Sequence, residues 1–386
     1  MIASMGQSSP DLRALPAAAP LYDVFDSEPG VWVVGGAVRD LLLGGAPVDL
    51  DLVVEGDAVA AASRLGELVV HERFGTATVV VDGHAYDFAP ARVETYAQPG
   101  ALPDVRPAAL EEDLLRRDFT VNAIALGLDG RLVAAPHALA DLDARLLRVF
   151  HERSFVDDPT RLLRLVRYAT RLGFAVESQT EVLARVAVAS GALATVSAAR
   201  IGGELRLLLR EPRAPAALTW ISGWPLGVRI AFDAELAERA IALLPEDGRR
   251  DLLLLAVTVR GVRVDRLSAW LDGLEFVAGD RDAVLVATQA SGSEGEDLAS
   301  AIAARFRGQP VEAVALAGAL GDPGPARRWL DDLRHVTLTI DGSDLLAAGI
   351  PQGEAIGRAL AAALAAKLDG KAPDRAAELA VALSAT

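Results

Sequence analysis

Asp49 and Asp51 lie in the run VDLDLVV, one residue apart. On an extended strand, side chains two residues apart leave the backbone on the same side. Two carboxylates aimed at one point suit Mg²⁺, which prefers oxygen ligands and fills its other positions with water and substrate phosphates. Just upstream, an apolar run stops at Gly35-Gly36, and Arg39 follows. Glycine lets the backbone approach a phosphate closely, a helix starting there offers free N–H groups to an anion, and Arg39 can fork onto phosphate oxygens. Asp87, in the later run HAYDFA, is the candidate third carboxylate. The combination can hold a nucleoside triphosphate and two Mg²⁺ ions, one activating the attacking oxygen and one steadying the leaving group. Taken singly, each part also has a plain reading, DLDL as a solvated edge strand and Gly-Gly as an ordinary turn.

Residues 31–34 read as a strand closed by the glycine pair, 37–43 as a short helix, and 48–54 as a strand. An Ala-rich helix is expected over 56–68. Strands follow at 69–70, 77–81 and 84–89, with Asp82-Gly83 as a hairpin turn. The region up to about residue 145 is therefore a small mixed α/β domain. Beyond it, 159–172 and 198–209 place Leu, Val and Ala at helical spacing, and Pro or Gly clusters divide the rest into helices of ordinary length. Residues 1–20, rich in Ala, Pro and Ser, read as a flexible leader.

The 386 residues suffice for two or three domains. At 52% hydrophobic and 24% charged, the chain is globular rather than disordered. Cysteine is absent, which excludes disulfides and thiolate metal sites and suits a cytoplasmic protein. No basic stretch leads into an apolar segment near the start, so a secretory signal is not expected, nor is a membrane span. The net charge of −15 argues against a polyanionic partner, yet residues 145–213 carry 12 arginines against 7 acids, a net of +5. That segment is expected to face an anion-binding cleft.

The Gly-Gly, Arg-Asp and Asp-x-Asp elements in this order resemble the signature of the class II tRNA nucleotidyltransferase and bacterial poly(A) polymerase family, within the DNA polymerase β superfamily. The resemblance continues through Asp87-Phe88-Ala89, Arg92, Glu94, Tyr96 and Pro99-Gly100-Ala101-Leu102-Pro103. RRDFTVNAIAL at 116–126 is similar to the family's ribose-binding motif. DDPTRLLRLVRYATRLGF at 157–174 is similar to its base-selecting motif, and Ser197, Arg200 and Glu204-Leu205 to its following helix. The match covers about residues 30–210, with a weaker one at 340–370.

The resemblance implies roles. Arg117, Asp118 and Asn122 would place the ribose; Asp118 also suits the N-cap of a helix over 119–126. Asp158 and Arg161 would select the base. A carboxylate acceptor beside a guanidinium donor matches the edge that cytosine and adenine share and opposes that of uracil and guanine. The same two residues also suit a helix cap with an i,i+3 ion pair. Arg164, Arg167 and Arg171 form a basic stripe, read as triphosphate or RNA contact or as a solvated helix face. Arg92, Glu94 and Tyr96 belong to a loop that the family uses at the growing 3′ end. Arg200 and Glu204 either brace the base-reading residues or bridge each other.

The expected architecture is α+β: a leader (1–20), a polymerase-β-like mixed-sheet head (21–145), then a helical neck (146–212), body (213–335) and tail (336–386) that holds the RNA acceptor stem. The expected activity is template-independent addition of C and A to the 3′ end of tRNA from CTP and ATP. Poly(A) synthesis, CC-only or A-only addition, and an inactive RNA-binding protein are the alternatives.

Overall fold

A computed structural model describes residues 11–26, 28–292 and 298–385. The chain forms two compact units, residues 1–201 and 202–386. The first begins with α1 (Ala19–Phe25), β1 (Val31–Val34), α2 (Gly36–Leu42), β2 (Leu50–Val54) and α3 (Ala58–Ser63). Then come β3 (Leu68–His71), β4 (Thr76–Val81), β5 (His84–Pro90), β6 (Arg92–Thr95), β7 (Asp104–Pro107) and α4 (Leu110–Leu115). β8 (Ile124–Gly127), β9 (Leu132–Ala134), α5 (Ala138–Asp143) and β10 (Leu146–Leu147) lead to α6 (Ser154–Asp157) and α7 (Thr160–Leu172). β11 (Ala175–Val176), α8 (Ser178–Ala189) and α9 (Ala198–Arg210) follow, the last running into the second unit.

Seven strands make one mixed sheet in the order β3-β4-β5-β2-β1-β8-β9. β1 is covered on both faces, so all four of its residues are apolar and buried. β2 is split by face. Leu50 and Leu52 go to one side with Tyr86 and Phe88 of β5; Asp51 and Val53 go to the other. On that second face Trp32, Val34, Val53, Ala123 and Ala125 pack beneath Leu110 and Leu114 of α4. The carboxylates thus sit where this covered face runs out. β6 and β7 form a separate hairpin that packs on α4.

Three local expectations are corrected. Residues 11–20 are no loose leader: they form two 3-10 turns with Leu12, Leu15, Ala17 and Ala18 buried, and Tyr86 donates its hydroxyl to the Ala17 carbonyl at 2.8 Å. Residues 1–10 of that expected segment lie outside the described residues. The helix expected over 56–68 ends at Ser63, because Leu68 onward pairs with β4. The helix expected over 119–126 is instead a 3-10 turn, Thr120–Asn122, followed by β8. Pairing with β1, which sets Val34 opposite Ala125, outweighs the helical propensity of the alanines.

Among the described residues, eleven helices from Ala214–Ile221 to Arg375–Ser384 follow α9 in the second unit. No described helix is long and apolar enough to cross a membrane. The last helices enclose Ile340, Leu345, Ile350, Ala359, Ala363 and Ala382. One charge lies beside this core. Glu378 is fully buried and accepts from Lys367 Nζ at 2.6 Å, from Thr339 N and Oγ1 at 2.7 and 2.8 Å, and from Ile340 N at 3.2 Å. Burial alone would raise the pKa of this carboxyl, but the bonds from Lys367 and Thr339 outweigh it and hold the pKa at about 2. Ionised Glu378 therefore stabilises the fold above its ordinary pKa of 4.5, and that contribution is lost as pH falls toward 2. Glu378→Gln should cost about 1–3 kcal/mol at neutral pH and flatten the acid limb of the stability curve, measured by urea unfolding from pH 7 to 3.

Candidate nucleotide site

The site starts from the register of the sheet. β2 lies between β1 and β5, so Asp51 is opposite Val34 on one side and Asp87 on the other. Val34 is the last residue of β1, which sets the Gly35 turn beside Asp51. Gly35 has φ 73°, a conformation that favours glycine. A β-carbon there would stand 3.0 Å from Arg117 Nη1 and 3.8 Å from Asp51 Oδ2. Gly35, Asp51 and Arg117 are therefore immediate neighbours.

Asp49, Asp51 and Asp87 are all exposed. Asp49 accepts weakly from Ala85 N at 3.4 Å, and Asp87 accepts from Thr78 Oγ1 at 2.5 Å. The pKa of Asp51 is raised, first because its surroundings displace water from the carboxylate. Arg117 opposes the rise, and the charges of Asp87 and Asp49 add to it. A carboxylate crowded by two others is one that a divalent cation would relieve. Among the described residues, no three or more His, Cys, Asp or Glu side chains gather as a ready cage. The donor set thus suits an ion that takes few protein ligands and completes its shell from substrate and water, as Mg²⁺ does.

Arg39 does not offer its fork to a phosphate. It is 2% exposed, donates Nη1 to Asn122 Oδ1 at 2.5 Å and Nε to Asp40 Oδ1 at 2.8 Å, and lies 5.3 Å from the Tyr168 ring. Asn122 donates in turn to Asp118 Oδ1 at 2.9 Å. Asp118 Oδ2 receives Arg164 Nε at 2.8 Å, and Arg164 Nη2 reaches the Tyr168 hydroxyl at 3.1 Å. Asp118 caps no helix; its Oδ1 also takes the Phe119 N–H at 2.8 Å. Burial would raise its pKa, but Arg164 and the hydrogen bond from Asn122 outweigh that and hold it at about 2. Of the arginine stripe of α7, Arg167 is 7% exposed and lies 4.8 Å from the Tyr168 ring, Arg164 is half-buried on Asp118, and Arg171 is exposed.

At the start of α7, Asp158 Oδ1 accepts from Thr160 N and Oγ1 at 3.1 and 2.6 Å and from Arg200 Nη2 at 2.8 Å. Its Oδ2 receives no hydrogen bond from any described residue. Arg161 donates Nη2 to the Arg116 carbonyl at 2.7 Å rather than pairing with Asp158. Arg200 turns to Asp158 and, through Nη1, to the Gly100 carbonyl at 3.2 Å. Gly100 lies so close to Thr195 that a β-carbon there would clash with Thr195 Oγ1. The 96–103 loop is thereby pinned beside the proposed base reader. In the β6–β7 hairpin, Glu94 accepts from Arg92, Arg116 and Tyr96 at 3.2, 2.8 and 3.0 Å.

The sequence reading passed over Asp113. This residue of α4 is fully buried and receives Arg116 Nε at 2.8 Å, Arg117 Nη2 at 3.0 Å and the Arg92 N–H at 3.2 Å. Its i,i+3 and i,i+4 spacing to Arg116 and Arg117 was the available signal. Removing the Asn122 side chain would take the acceptor from buried Arg39 Nη1 and leave Asp40 as the remaining carboxylate partner. Asn122→Ala should lower stability by about 1–3 kcal/mol, whereas exposed Asp49→Ala should change it by less than about 0.5 kcal/mol; denaturant unfolding of both checks this.

The chain was compared with known proteins. Residues 31–148 match the poly A polymerase head domain. An A-adding tRNA nucleotidyltransferase of Geobacter sulfurreducens is 42% identical over 226 residues, 56% of this chain and 26% of that protein. A CC-adding tRNA nucleotidyltransferase of Deinococcus radiodurans is 44% identical over 207 residues, 50% of this chain and 54% of that protein. The chain thus spans between about a quarter and about half of these two relatives. A solved CCA-adding enzyme in an apo form superposes with a TM-score of 0.80 at 28% identity, covering 97% of this chain and 96% of that one. Residues 31–148 thus resemble a poly A polymerase head, and the α+β architecture is like that of the solved CCA-adding enzyme.

Proposed function

We propose that the protein extends the 3′ end of tRNA without a template, building or restoring CCA from CTP and ATP. One observation supports this reading: Gly35 lies beside both Asp51 and Arg117, and Arg161 donates to the carbonyl of the adjoining Arg116. The names of the relatives support tRNA as the acceptor. The acceptor's 3′ oxygen bonds to the α-phosphorus, the bridging bond to the β-phosphate breaks, and pyrophosphate leaves. Asp49 and Asp51 would hold Mg²⁺, two ions in all, which supplies Lewis-acid activation of the phosphate and the attacking hydroxyl. Asp87 stands opposite Asp51 on the neighbouring strand as the third carboxylate.

The Gly35-Gly36 backbone and Arg117 face the triphosphate. Asp118, kept ionised, and Asn122 frame the ribose and hold Arg164 in place. Asp158 Oδ2 and Arg161 read the base edge, with Arg200 fixing the carboxylate from behind. The chain mainly positions groups and meets developing charge. A tRNA substrate places this work in the cytoplasm. A second reading, addition of the terminal A alone, is favoured by the name of the 42% identical relative.

The test incubates the protein and Mg²⁺ with tRNAs lacking one, two or all three terminal nucleotides, each with CTP or ATP. Ordered addition of C, C and A is expected; A on the CC-ended tRNA alone supports the second reading, and long A tails on unrelated RNA exclude both. Asp51→Ala should cut transfer by about 10³-fold or more with the fold intact. Undiminished transfer would remove Asp51 from the metal site. Arg161→Ala should relax exclusion of UTP by about tenfold, read from the CTP:UTP ratio of kcat/KM.

A further inference from the structure

We infer that Asp113 is a positioning residue that aligns both ends of the bound nucleotide through two adjacent arginines. The inference rests on the nucleotidyltransfer reading above and assigns a role to a group outside its machinery. Asp113 is 0% exposed, and its two oxygens face different ways. Oδ2 holds Arg117 Nη2 at 3.0 Å. Arg117 Nη1 is the atom that a β-carbon at Gly35 would meet at 3.0 Å, and Arg117 is the larger of the two cationic influences on Asp51. Its Nε is buried and has no hydrogen-bond partner among the described residues. Arg117 is therefore fixed on one side by Asp113 and keeps donor capacity at the Gly35 turn, where the triphosphate would lie.

Oδ1 holds the neighbouring Arg116 at 2.7 Å through Nη2 and 2.8 Å through Nε, and Glu94 holds the same guanidinium at 2.8 Å. The Arg116 carbonyl is the atom to which Arg161 donates at 2.7 Å. Fixing Arg116 therefore fixes the acceptor that aims the proposed base reader. The Arg92 N–H on Oδ1, at 3.2 Å, ties the same carboxylate to the β6–β7 hairpin. One buried charge with two directional oxygens sets the phosphate-facing guanidinium and the base-facing guanidinium in one frame. A neutral amide at this position keeps the shape, loses the charge, and offers one acceptor oxygen instead of two.

The experiment compares wild type, Asp113→Asn, Asp113→Glu, Arg117→Ala and the Asp113→Asn/Arg117→Ala double variant. It reads kcat and KM for CTP on a tRNA lacking CCA, the CTP:UTP ratio of kcat/KM, and the thermal midpoint. Asp113→Asn should raise KM for CTP about tenfold with kcat within about threefold, and relax exclusion of UTP about tenfold. In the Arg117→Ala background the same change should add less than about threefold to KM, because the phosphate route is already cut, yet still relax base choice. A purely structural role would lower the midpoint and the active fraction and leave KM and the CTP:UTP ratio alone. Unchanged KM and selectivity in folded Asp113→Asn overturn the inference, as does full additivity with Arg117→Ala. If Asp113→Asn does not fold, Asp113→Glu keeps the charge but moves it, and the same readouts apply; if neither folds, Asp113 is a stability residue and the inference fails. A wild type that transfers no nucleotide to any tRNA end overturns the functional reading itself, whereas a transferring wild type matched by Asp113→Asn overturns only this one.

Discussion

Asp118 is a carboxylate taken almost wholly out of water, and it stays charged because Arg164 and Asn122 meet it there. Desolvation of one ion costs several kcal/mol, so the partner must be present and well placed. Arg164 comes from α7 and Asn122 from the turn before β8, so the helix is held against the sheet by a charge that neither element can leave alone. Arg39 extends the same logic by one link, since its buried guanidinium needs Asn122 Oδ1 and Asp40. Tyr168 closes the chain, its hydroxyl on Arg164 and its ring near Arg39 and Arg167. Mutual dependence of this kind gives a polar cluster one arrangement, and a nucleotide site needs a fixed arrangement more than it needs affinity.

The same pairing explains how a basic stretch sits in a chain of −15. The arginines of 145–213 are not a bare cationic face. Arg148 pairs with Asp141, Arg153 with Asp157, Arg164 with Asp118, Arg185 with Glu181 and Arg200 with Asp158. Asp157, Asp158 and Glu181 are already counted in the net of +5, and Asp118 and Asp141 from outside the segment offset two of its charges, so the excess is partly met by pairing within the fold. Recognition by such a surface depends on geometry, and any attraction of RNA from a distance is weak.

How much of this the sequence disclosed follows from the range of each interaction. Strand β1, the glycine turn and strand β2 with Asp51 were legible because strand period and turn chemistry are local, whereas Asp49, expected on the strand, lies in the bend just before it. The α+β order and the helical second unit were legible because period and composition accumulate over many residues. The region 119–126 was misread because its alanines favour a helix locally, while pairing with β1 is decided by residues some ninety positions away. Arg39 was misread for a related reason. An arginine beside a glycine turn looks like a phosphate ligand until the acceptor at residue 122 is known to draw it inward. Asp113 was overlooked because a carboxylate on a short amphipathic helix is usually solvated, and only the packed hairpin removes its water.

The stretch Arg116-Arg117-Asp118 shows why local patterning and tertiary function meet here. Three consecutive charged side chains leave the backbone toward three sets of partners: Asp113 with Glu94, Asp113 with the Gly35 turn, and Arg164 with Asn122. A strand could not send neighbouring side chains three ways, because its directions repeat every two residues. The irregular backbone between α4 and β8 is what permits it, and it is kept in place by the very charges it distributes. The cost of desolvating those charges is met only when the sheet, the hairpin and α7 are all assembled. The site therefore forms as a unit with the fold of the first 201 residues and does not exist as a local motif before it.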